Sequence, residues 1–136
     1  MTRAMGWGAA ALLGGLAAAG CGGAVLTPPT TPTPSAQIEV FSGTLFRNGA
    51  ATHPFTSQAG GTVTATLVTV DPEGVIGFSL GTWNGVTCQA IIANDAAVRN
   101  QSVTGTVSGV GNLCVRVYDV GQFTGPTSYE MSVLHP

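Results

Sequence analysis

Gly61-Thr62-Val63-Thr64-Ala65-Thr66-Leu67 sets threonine on one side of an extended chain and Val63, Ala65 and Leu67 on the other. A period of two is the signature of a β-strand with one wet face and one buried face, whereas a helix would repeat its apolar residues every three or four positions. The same alternation recurs on both sides of this stretch and predicts strands over 38–46, 52–57, 62–70, 75–83, 86–93, 102–107, 113–120 and 128–134. Turn chemistry separates them: Asn48-Gly49, Gly60-Gly61, Asp71-Pro72-Glu73-Gly74, Asn84-Gly85, Gly109-Val110-Gly111-Asn112 and Gly125-Pro126. No window in this region carries an apolar stripe at helical spacing. About eight short strands at such intervals predict an all-β fold, an antiparallel, jelly-roll-like β-sandwich. Phe41, Phe46, Phe55, Phe78 and Tyr129 fall on positions expected to face its core.

Asn84-Gly85 suits a two-residue hairpin loop, in which both residues take positive φ. That loop would pair Trp83 with Val86, Thr82 with Thr87, Gly81 with Cys88 and Leu80 with Gln89. Phe78, Leu80 and Ile91 then share the core face, and Cys88 lies on the other. Cys114 alternates with Leu113, Val115 and Val117 and also falls on the outer face. In an oxidising compartment this even pair is expected to form a disulfide, Cys88–Cys114.

Upstream of the strands the composition changes twice. Thr27-Pro28-Pro29-Thr30-Thr31-Pro32-Thr33-Pro34-Ser35 has no apolar surface to bury and favours extended polyproline II. It reads as a spacer. Before it, Arg3 precedes an apolar run from Ala9 to Ala19 that is too short to span a bilayer but long enough for a signal-peptide core. Leu16-Ala17-Ala18-Ala19-Gly20-Cys21 resembles the lipobox of bacterial lipoproteins, with Ala18 where that family most often has Leu. The resemblance implies cleavage before Cys21 and lipidation of Cys21, hence anchoring to a membrane through the N-terminal lipid. Gly22, where an inner-membrane lipoprotein usually has Asp, implies the outer membrane of a bacterial cell envelope. The expected organisation is a signal peptide over 1–20, the lipidated cysteine and linker over 21–36, and one domain over 37–136.

Charge narrows the partners. The chain has no lysine, and Arg47, Arg99 and Arg116 stand against six carboxylates after residue 20. Three scattered arginines cannot track a phosphate backbone, so no nucleic-acid partner is expected.

A second resemblance rests on Ser42-Gly43-Thr44-Leu45, on Pro54-Phe55-Thr56 with Ala59 to Leu67, and on the closing pair Gly111 to Tyr118 and Ser128 to Val133. These stretches resemble the bacterial prepeptidase C-terminal (PPC) domain, a β-sandwich often appended to secreted peptidases. The resemblance implies a non-catalytic accessory or binding module with a protein or glycan ligand. The Cys88/Cys114 pair is not a general feature of that family.

Candidate chemistry is sparse. Trp83, beside a hairpin tip, could stack on a sugar ring or anchor a protein, with Tyr118 as a second aromatic. Gly77-Phe78-Ser79-Leu80-Gly81 matches the G-x-S-x-G nucleophile elbow but falls inside a strand, where the motif has no strand-to-helix turn to lift the serine. His53 and His135 lack partners at metal-ligand spacing and read as surface or loop residues, so no metal site is expected. No cofactor is expected either. Calcium stays open, since Asp71, Glu73, Asp95 and Asp119 sit at turns and strand ends, but no D-x-D-x-D-G loop is present. The reading is therefore a non-enzymatic, lipid-anchored envelope protein for binding or display. The alternatives are a purely structural lipoprotein and a serine hydrolase using Ser79.

Overall fold

The computed structural model describes residues 22–23 and 26–136. The expected signal peptide and the expected lipidation site Cys21 lie outside the described residues. Residues 26–36 carry no regular secondary structure.

Eight strands follow: β1 Gln37–Leu45, β2 Ala50–Ser57, β3 Gly61–Asp71, β4 Ile76–Trp83, β5 Cys88–Ala97, β6 Ser102–Val107, β7 Gly111–Tyr118 and β8 Thr127–His135. They form two four-stranded sheets in the orders β1-β8-β3-β6 and β2-β7-β4-β5, antiparallel throughout. Each loop crosses from one sheet to the other except the β4–β5 hairpin. This is the jelly roll, and the sequence expectation of an all-β sandwich with eight strands and one disulfide holds.

The alternation that predicts the strands also builds the core. Val63, Ala65 and Leu67 of β3 meet Met131 and Val133 of β8 on one inner face, and Phe55, Ile76, Phe78, Leu80, Val115 and Val117 line the other. Around Leu67 the register between β3 and β8 shifts by one residue. The bulge lets both Leu67 and Val70 point inward although they are three positions apart. Pro54 is placed on β2, an edge strand, where its missing N–H costs no ladder bond.

Four expectations are corrected. Phe46 is 64% exposed, in the loop after β1 rather than in the core. The β4–β5 loop spans four residues, not two: Trp83 pairs with Cys88, Thr82 with Gln89 and Gly81 with Ala90. Gly85 takes φ +95° but Asn84 does not take positive φ. Instead the Asn84 carboxamide oxygen accepts the amides of Val86 at 2.9 Å and Thr87 at 2.7 Å, so side-chain capping replaces the expected turn. Ile91 is the third correction. A bulge between Leu80 and Gly81 pairs Leu80 with Ile92, turning Ile91 outward to 72% exposure and leaving Ile92 to pack against the core. The histidines are the fourth, since His53 is part-buried and His135 is fully buried.

The disulfide explains why β5 is irregular. Cys88 and Cys114 lie on strands that flank β4, and two strands so placed in a flat sheet are ~10 Å apart. Their Cα atoms are 5.8 Å apart. The gap closes because β5, bulged at two places along β4, curls over the outer face of β4 at Gly81. A Cβ on Gly81 would stand 2.0 Å from the Gln89 carbonyl oxygen. Cys114, on the outer face by register, is buried beneath this fold.

Candidate binding groove

The strand ladder gives the sandwich two different ends. Gln37, the β2–β3, β4–β5 and β6–β7 loops and the end of β8 meet at one of them, as the pairs Gln37 with His135, Ser57 with Gly111, Gly61 with Val107 and Thr82 with Leu113 require. The remaining loops gather at the other. Every charged side chain among the described residues except Glu39 lies in that other half. Glu39 accepts a hydrogen bond at 3.0 Å from Nε2 of His135. The end through which the chain arrives at β1 thus shows no free charged side chain among the described residues.

Beside this uncharged end, the free edges of β5 and β6 face one another and leave an open groove of about 690 Å³ between the sheets. Val63, Leu80 and Leu113 form its apolar floor, with Ile92 and Val107 on the walls. Gly105 occupies an inward position of β6 between Val103 and Val107, and the side chains of Ile92 and Leu80 close over it, 3.1 Å and 3.4 Å from where a Cβ would stand. Ile91 and Val110 line the mouth and are 72% and 74% exposed. No charged or aromatic side chain lines it. The sequence reading missed this groove, because it arises where the free edges of β5 and β6 meet across two sheets, which no local pattern records.

The two aromatic residues picked from the sequence are not brought together. Trp83 ends β4 at the uncharged end, opposite Cys88, whereas Tyr118 pairs with Gly77 at the start of β4. Tyr118 is engaged rather than free. Its ring lies flat over Gly77, where a Cβ would meet ring carbons at 2.1 Å, and its hydroxyl donates to Oδ1 of Asp95. Arg116 rides over the ring at 5.6 Å from its centroid. Burial first, and then the hydrogen bond and charge of Asp95, push the phenol up to about 12.

Ser79 sits in the middle of β4 at 1% exposure, and its Oγ has no hydrogen-bond partner. It lies in a regular strand between Arg116 and Ala93, so no elbow presents it to a substrate. His53 and His135 belong to the opposite open side of the sandwich, between β1 and β2. His53 stacks on Phe41 with ring centroids 4.9 Å apart, and its Nε2 is 2.7 Å from the Tyr129 hydroxyl. Burial lowers the imidazole pKa and raises that of the phenol, which favours the neutral form of both partners of this hydrogen bond.

The carboxylates named for calcium are spread over separate partners. Asp119 accepts backbone N–H groups from Asn48, Gly121, Gln122 and Phe123, which hold its carboxyl below the usual range. Glu73 approaches Arg99 at 3.9 Å. Among the described residues no three His, Cys, Asp or Glu side chains converge on a metal position.

No family model and no curated protein matches the chain. Solved structures do. The fold is similar to that of PliG from Aeromonas hydrophila, a periplasmic lysozyme inhibitor of g-type lysozyme. The two share 16% identity with a TM-score of 0.55, over 77% of this chain and 92% of PliG. A protein of the disulfide-linked pili of Bacillus endospore appendages matches at 13% identity and a TM-score of 0.41, over 81% of this chain and 96% of its own.

Proposed function

We propose that this chain is a non-catalytic, lipid-anchored protein of the bacterial envelope, held through Cys21, most consistently in the outer membrane, and that its sandwich is a binding module for a protein or glycan partner. The observation that carries the proposal is the uncharged groove between β5 and β6, rimmed by exposed Ile91 and Val110. Apolar side chains at the mouth of a preformed cleft are the usual mark of a ligand or partner surface. A sandwich of similar fold that inhibits lysozyme in the Aeromonas hydrophila periplasm is in keeping with a protein partner, as is the resemblance to PPC accessory domains, although fold alone does not carry function. Buried Ser79 supports the non-catalytic reading.

Two experiments test it. Metabolic labelling with an alkyne fatty acid should mark the wild-type chain and not Cys21→Ser, and an unlabelled wild type refutes the anchor. A photo-crosslinking amino acid at Val110 on intact cells should capture a defined partner, and the same probe at Thr124, an exposed position at the opposite end, should not. Equal, diffuse capture from both sites refutes the binding module in favour of a purely structural lipoprotein. Trp83→Ala should weaken capture if the indole borders the bound partner.

A further inference from the structure

We infer that the tract over 27–35 is a modification site, its threonine and serine hydroxyls carrying O-linked sugars in the cell. The inference rests on the export of the chain proposed above and is independent of the groove. Thr27-Pro28-Pro29-Thr30-Thr31-Pro32-Thr33-Pro34-Ser35 consists of hydroxyl residues and proline alone. A spacer needs only residues that do not pack, so glycine, glutamine or charged side chains would serve as well. Hydroxyls set among prolines add something further, an acceptor oxygen on a chain that stays extended. Residues 26–36 are exposed throughout and carry no regular secondary structure, and among the described residues these five hydroxyls have no hydrogen-bond partner. The sheet threonines differ. Thr64 and Thr66 bond the hydroxyls of Thr104 and Ser102 across the strands at 3.2 Å and 2.7 Å, and their backbones are tied into the β3 ladder, where no enzyme can draw them into a cleft as a free extended chain.

Spacing sharpens the assignment. A polyproline II helix turns once every three residues and rises about 3.1 Å per residue, so Thr27, Thr30 and Thr33 lie along one edge about 9 Å apart. Thr31 and Ser35 fall on the other two edges, each in line with prolines. Within the tract no side chain larger than proline crowds an acceptor, and each can bear its own sugar. The step is a glycosyl transfer. The hydroxyl oxygen attacks the anomeric carbon of a sugar activated as a glycosyl phosphate ester, and the new C–O bond forms as the bond from that carbon to the phosphate oxygen breaks. The phosphate ester leaves, and the hydroxyl proton passes to a base of the cell's transferase. Phosphorylation of the same hydroxyls is the rival chemistry. A phosphate would find no cation beside it, because no lysine or arginine lies between Cys21 and Arg47.

The test is intact-mass spectrometry of the full mature chain purified from its native cells, with electron-transfer fragmentation to place each added group. The mass should exceed that of the polypeptide and its lipid by whole sugar units, all of them within residues 27–35. Thr27→Ala/Thr30→Ala/Thr33→Ala should remove at least about half of the added sugar, and the further changes Thr31→Ala and Ser35→Ala should remove the rest. Thr124→Ala, at an exposed loop position, should leave it unchanged. The tract variants alter no residue of a strand, so loss of sugar cannot be a loss of fold. A bare tract, phosphate in place of sugar, or sugar confined to the sheet overturns the inference. The lipid on Cys21 is read from the same spectrum. A lipidated chain with a bare tract overturns the glycosylation alone, and a chain with neither group overturns the anchor as well.

Discussion

At Gly81 a Cβ would meet the Gln89 carbonyl oxygen at 2.0 Å and the Ala90 Cα at 2.9 Å, both backbone atoms of β5 that cannot rotate aside. Gly81→Ala is therefore expected to lift β5 from β4 and to cost ~3 kcal/mol or more, in the range of an overpacked core. Gly85→Ala, by contrast, adds a methyl group to open space and bears only the strain of φ +95°, about 1 kcal/mol. Chemical denaturation of the two variants checks the order, and equal costs would show that β5 does not press on β4. His53 makes a different kind of contribution. Its folded pKa lies below the ordinary 6.5, so the unfolded chain takes up a proton that the folded chain resists as pH falls. The stability tied to the neutral ring is complete above pH 6.5 and declines as pH drops through that value. His53→Gln keeps a group able to hydrogen-bond the Tyr129 hydroxyl and does not titrate. The wild type should thus lose more melting temperature than His53→Gln between pH 7.5 and 5, and parallel losses would remove the imidazole from the account.

Among the strands, β5 is the one whose behaviour depends most on a covalent bond. It is an edge strand, paired only with β4, and its bulges sacrifice ladder regularity to bring Cys88 over to Cys114. Closing a loop with a sequence separation of 26 contributes ~3 kcal/mol in the chain-entropy account. The double variant Cys88→Ser/Cys114→Ser should lose that amount and ~10–25 °C of melting temperature, and reduction of the wild type should reproduce the loss. An unchanged melting temperature under reduction would mean that the hairpin holds itself in place. The pairing of these two cysteines was legible from their number and strand parity, and the two-residue error in the hairpin register left that parity intact. The strands themselves were legible because an antiparallel sheet with one dry face writes its geometry into alternate residues. Ile91 was not, since a bulge breaks that alternation and arises from the curl of β5 over β4. His135 was not either. Its burial depends on Glu39, 96 residues away in the sequence. The groove escaped notice for a related reason, being set by the meeting of two strand edges that no local pattern records.

At the level of the whole molecule, the first strand pairs with the last. β8 lies between β1 and β3, and β7 lies between β2 and β4, so each sheet is completed only when the final third of the chain is present. Such non-local pairing places the loop-closure cost ahead of most of the stabilising contacts, which sets refolding on a time scale of roughly milliseconds to seconds rather than microseconds. It also makes β8 indispensable. Without residues 127–136, β1 has no partner and β3 keeps only β6, while the inner face of the β2-β7-β4-β5 sheet loses the cover of Tyr129, Met131 and Val133. A chain ending at Pro126 is therefore expected to lack cooperative unfolding and dispersed amide resonances, although six of its seven strands would keep a paired neighbour in their own sheet. A cooperative melt from that truncated chain would show that one sheet can stand alone, and the first-to-last pairing would then be an ornament of the fold rather than its closing step.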